Sequence, residues 1–128
     1  MKLPIRSISL AAILLASGLT AHAACVYPQA PQAIPNGTKA TKDEMVAANG
    51  QVKEYVQAVE STYLPCLDQD KTAAVAALDT ADPEYASKKA LIESMHAKKY
   101  NAAVDEEAAV ADRMNQEIKA YKAKADKQ

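Results

Sequence analysis

Met45, Ala48, Val52, Tyr55, Val59, Thr62 and Cys66 recur at alternating steps of three and four. That spacing draws one seam along an α-helix, of the kind that packs against a neighbouring helix. Val56, Tyr63 and Leu67 widen it. Thr41 and Glu44 stand at capping-box spacing just before the seam, each able to satisfy a free backbone donor. Gly50 weakens this helix by about 1 kcal/mol relative to alanine. Pro65 lacks an N–H and crowds the carbonyl of Ser61, so a kink or a stop is expected there. The Ala-rich stretch 72–78 then continues as a second helical piece to about Asp79, with Val75 and Leu78 as its apolar contacts.

Asp82, Pro83 and Glu84 combine an N-cap, a proline at the first helical position and an acid in the first turn. No breaker follows until the C-terminal tail. About forty helical residues make a rod of roughly 60 Å. Its expected inward stripe runs through Tyr85, Leu91, Ile92, Met95, Tyr100, Val104, Ala108, Ala111, Met114, Ile118 and Tyr121. A short connection sets neighbouring helices antiparallel. The fold class expected is therefore all-α: an elongated antiparallel helical hairpin over 41–128, its first arm kinked near Pro65.

Residues 24–40 read differently. Pro28, Pro31 and Pro35 fix φ and remove donors, and Asn36-Gly37 marks a turn. This extended, Pro-rich arm suits a strap laid along the helices, with Tyr27 and Ile34 to bury; the competing use is a ligand for an aromatic groove. Asn36-Gly37-Thr38 matches a glycosylation sequon, which has meaning only in a host that modifies such sites.

Residues 1–23 have the layout of a secretory signal peptide. Lys2 and Arg6 form the positive end, 8–19 the apolar run, and Ala21-His22-Ala23 the small-residue cleavage site. Export would carry Cys25 and Cys66, the only two cysteines, to a compartment where a disulfide persists. Closing that loop contributes roughly 4 kcal/mol in the chain-entropy model. The alternative is a lipoprotein anchored at Cys25, but His22 stands where a lipobox has an aliphatic residue, and lipidation would leave Cys66 unpaired. An arm of about sixteen residues reaches roughly 50 Å, against about 38 Å of helix from Thr41 to Cys66, so the arm is long enough to run back and close the bridge.

Composition narrows the function classes. The formal charge is −1, so no basic footprint for nucleic acid exists. With no Trp, no Phe and an Ala-dominated apolar fraction, the core must be thin. Chemistry has few footholds. Met95, His96 and Met114 are the residues a copper carrier would use, since thioether and imidazole suit that metal. Adjacent helix positions diverge by about 100°, however, which favours the methionines as core filler. Asp105-Glu106-Glu107, with Asp112, reads as a solvated face. Lys119, Lys122, Lys124 and Lys127 complement the helix dipole or touch an anionic membrane surface. No Ser or Cys sits beside a base, so an enzyme is not expected, nor any cofactor or resident metal.

Cys25 with Pro28, Ile34-Pro35-Asn36-Gly37, 41–45, Tyr55 and Tyr63-Leu64-Pro65-Cys66-Leu67 resemble a group of small exported proteins of Gram-negative bacteria. The segments 100–101, 115–116 and 121–123 fit the same pattern. The group has no characterised function, so the resemblance supplies no catalytic or binding residue. It implies a periplasmic location and a Cys25–Cys66 pair. The function expected is a non-enzymatic interaction protein offering a long helical side to a protein partner, or to a second copy of itself as a dimer. The alternative is a small-ligand or copper carrier using Met95, His96 and Met114. No transmembrane segment is expected in the mature chain.

Overall fold

The computed structural model describes residues 24–127, and the leader expected over 1–23 lies outside them. The described chain is all-helical, without a strand. Helix α1 spans Lys42–Ala58, a π-helical turn spans Val59–Tyr63, α2 spans Leu64–Ala76 and α3 spans Tyr85–Ala125. Residues 24–36 carry no helix or strand.

Helix α1 starts where its cap dictates. The Thr41 hydroxyl accepts from Glu44 N–H at 3.3 Å, and Glu44 Oε2 accepts from Thr41 N–H at 2.7 Å. Those bonds to the ionised acid hold the Glu44 carboxyl below its ordinary pKa. At α3 the cap is displaced from its expected geometry. Asp82 accepts from Glu84 N–H at 2.8 Å and closes a turn just before the helix, which begins at Tyr85. Lys88 reaches back to Asp82 at 2.6 Å and, with that amide, lowers the pKa of the Asp82 carboxyl.

The π-turn changes the register of everything after it. Leu64 N–H donates to Val59 C=O, a step of five residues in place of four. One extra residue rotates the following helix by about 100°. Tyr63 and Leu67 are buried in consequence, whereas Thr62 is exposed and Cys66 only half-buried at the edge of the seam. The expected seam positions Thr62 and Cys66 are thus corrected to Tyr63 and Leu67. Pro65 supplies a physical reason: it has no N–H to donate, so the α ladder is already interrupted there, and the helix does not stop.

Both α1 and α2 pack on α3. Lys124, near the end of α3, donates to Ala40 C=O at 2.8 Å beside the start of α1. His96, near the other end, meets Asp68 of α2. The core consists of Met45, Ala48, Val52, Tyr55, Val59, Tyr63, Leu64 and Leu67 facing Ala103, Val110 and Met114, with Ala40 at one end. Val59 and Met114 are the most completely enclosed.

The face of α3 also needs correction. Its inward positions recur at steps of three or four through Tyr85, Lys89, Ile92, His96, Tyr100, Ala103, Glu107, Val110, Met114, Ile118, Tyr121 and Lys124. Leu91 and Met95 are 61% and 51% exposed, and Val104 and Ala108 also face outward. One helix presents one stripe, and the one that carries Ala103, Val110 and Met114 is the one turned into the core. Polar side chains consequently take seam positions while apolar ones are left outside.

The arm joins the core through Tyr27 and Ile34, and its turn docks on α3. Gly37 N–H donates to Glu117 Oε2 at 2.7 Å. A Cβ on Gly37 would run into the Glu117 carbonyl and stand 2.8 Å from Tyr121 N, so glycine is needed for close approach. Gly50 has open space around it. Opposite outcomes are expected for two glycine substitutions. Gly37→Ala should destabilise by about 1–3 kcal/mol, through overpacking against the α3 backbone. Gly50→Ala should stabilise by about 0.5–1 kcal/mol. Urea denaturation of the two variants measures both.

Candidate functional site

The chemistry-bearing side chains gather where the arm meets the π-turn, α2 and the middle of α3. Cys25 and Cys66 stand at disulfide distance, with Cα atoms 5.8 Å apart. Four residues beyond Cys66, and so on the same helix face, Asp70 places Oδ2 3.1 Å from Cys25 Sγ.

Next to this bridge, Tyr27 of the arm inserts between two helical tyrosines. Its ring meets Tyr63 edge-on at 4.9 Å and Tyr55 at 6.3 Å, and the Tyr27 and Tyr55 hydroxyls share a hydrogen bond. Burial is the main reason that the Tyr27 phenol is pushed far up, assisted by the bond to Tyr55 and by the Glu106 carboxylate. Burial also raises Tyr55. Both hydroxyls therefore stay protonated at neutral pH, and serve as a polar clasp on the arm.

The acidic run on α3 is divided by the seam. Asp105 and Asp112 are exposed, as the sequence implies, but Glu107 is half-buried on an inward position. There burial raises its pKa, and Glu60 of the π-turn raises it further by charge and by hydrogen bonding.

His96 lies on the seam with its side chain 15% exposed. Its Nε2 is 2.9 Å from Asp68 Oδ1, yet no aligned hydrogen bond satisfies that nitrogen. Leu67, Asp70, Ala74, Ile92, Met95 and His96 line a groove of about 200 Å³ between α2 and α3, with Lys71 and Lys99 also in its walls.

Of the candidate carrier residues, the groove brings together Met95 and His96 but excludes Met114. Met114 is 1% exposed in the core and eighteen residues further along the same helix, about 27 Å away. The three residues do not form one ligand set. Sequence reasoning missed Asp70 and the Glu60–Glu107 pair. Steps of seven back from Met114 and Val110 reach Glu107 and His96, a signal that the apolar residues alone do not carry.

Among the described residues no helix is long and apolar enough to cross a membrane. The chain matches no family model, no curated protein and no solved structure.

The Glu60–Glu107 contact has a measurable pH signature. A carboxyl whose pKa is raised on folding adds stability below its unfolded pKa, and that contribution is lost as pH rises through the folded value. Glu107→Gln, which imitates the protonated acid, should raise the melting temperature at pH 7 by about 2 °C, a small effect because the pair is partly solvated. The difference between variant and parent should vanish below about pH 4. Calorimetry of both proteins from pH 3.5 to 7.5 checks the sign.

Proposed function

We propose that the protein is a non-enzymatic periplasmic interaction protein, an elongated antiparallel hairpin bent at the π-turn and strapped by its Pro-rich arm. In this reading the leader over 1–23 is cleaved and the mature protein is soluble. The placement of Cys66 beside Cys25 supports that over a lipid anchor, since a lipidated Cys25 has no thiol left to pair. The resemblance to small exported proteins points to the same compartment.

One observation carries the interaction reading. Leu91 and Met95, one turn apart on α3, are more than half exposed, while His96 and Glu107 occupy the inward stripe. Large apolar side chains left uncovered beside a groove are suited to contact with a partner, and methionine adapts to irregular surfaces. The partner is a protein; self-association as a two-fold dimer is the simplest case.

A photo-crosslinking residue at position 91 or 95, used in intact cells, tests the reading. A discrete adduct is expected at both positions and not at the exposed polar position Ser87. An adduct of twice the chain mass identifies a dimer. Absence of any adduct at both positions removes the proposal.

A further inference from the structure

Asp70 is in an odd position for a protein with a closed disulfide. Its Oδ2 lies 3.1 Å from Cys25 Sγ, but a bridged sulfur has no proton to donate. The neighbouring lysine, Lys71, pairs with Asp68 and not with Asp70. A half-buried carboxylate is thus aimed at a sulfur that can use it only when the bridge is open.

The open state has a recognisable donor set. Cys25 Sγ, Cys66 Sγ and an Asp70 oxygen all lie within 4.8 Å of one another. Zinc binds thiolate at about 2.3 Å and carboxylate at about 2.0–2.2 Å, which places tetrahedral donors within that separation. Two thiolates select a soft or borderline ion over calcium or magnesium, and the carboxylate favours zinc over Cu(I). The groove between α2 and α3 includes Asp70 in its wall, giving an ion a route in and a water room to bind.

We propose that, once the bridge is reduced, Cys25, Cys66 and Asp70 bind one zinc ion, with water as the fourth ligand. A dithiol supplies the electrons. One of its thiolates attacks a sulfur of the bridge, its second thiol resolves the mixed disulfide, and the dithiol leaves oxidised. Cys25 and Cys66 are left as thiols. Zinc then displaces both thiol protons to solvent. The ion ties the arm to the helix where the disulfide did, so the protein keeps its strap in either redox state.

Zinc titration against a chromophoric chelator, with the protein either oxidised or reduced and desalted without oxygen, tests this. The reduced protein should bind one zinc with submicromolar affinity and the oxidised protein none. Asp70→Asn should weaken binding about tenfold or more, while forming its disulfide as the parent does. Cobalt substitution should give the intense visible bands of a tetrahedral thiolate site. Absence of zinc binding by the reduced protein overturns the proposal. So does equal affinity in Asp70→Asn, which would mean that the two thiols alone capture the ion.

Discussion

The register change at Val59–Tyr63 governs how the molecule closes. Upstream, Met45, Ala48, Val52, Tyr55 and Val59 keep heptad spacing against α3. Had that spacing run on unaltered, Thr62 and Cys66 would face the core, and Tyr63 and Leu67 would turn aside. The extra residue of the π-turn exchanges these pairs. It buries one tyrosine and one leucine in a protein without Phe or Trp, where each large side chain is a sizeable share of the apolar area. It also brings Cys66 to the edge of the seam, where the arm can deliver Cys25.

The rest of the architecture compensates for a thin interface. Ala103, Val110 and Met114 are the buried residues of α3, a small return from 41 helical residues. Glu107 and His96 occupy positions that an apolar side chain would fill more favourably. The arm makes up part of the shortfall as an added layer. Tyr27 packs between Tyr55 and Tyr63 near one end, and Gly37 lies against the α3 backbone near the other. The tie at Cys25 lowers the entropy of the unfolded chain, which matters most when packing contributes little.

Much of the helical content was legible because its signals are local. The Thr41–Glu44 cap, the heptad spacing to Val59 and the unbroken run after Pro83 each act within a few residues. The exchange at Thr62 was not legible. A π-turn leaves no spacing of its own, and Pro65 announces an interruption without saying how the chain resolves it. The rotation of α3 was misread for a different reason: Leu91, Met95 and Val104 are apolar, and apolar residues were assumed to face inward. What decides the rotation is the fit of Ala103, Val110 and Met114 into the core formed with the preceding helices, a tertiary constraint. For the same reason Asp70 attracted no notice, because its meaning depends on where the arm places Cys25. The pairing of Cys25 with Cys66 was legible from their being the only two cysteines in the sequence.

The central claim, that one extra residue in the π-turn sets the register of α2, is tested most directly by removing it. Deleting Thr62 in a Pro65→Ala background converts the turn to a regular α-helix without the proline clash. Tyr63 and Leu67 should then fall on the seam by ordinary heptad spacing. The disulfide should form quantitatively, and the melting temperature should be no lower than that of Pro65→Ala alone. If the helix were regular α throughout, the same deletion would rotate α2 by about 100°. A variant that loses the Cys25–Cys66 bond and cooperative unfolding would show that the π-turn does not set the register of α2.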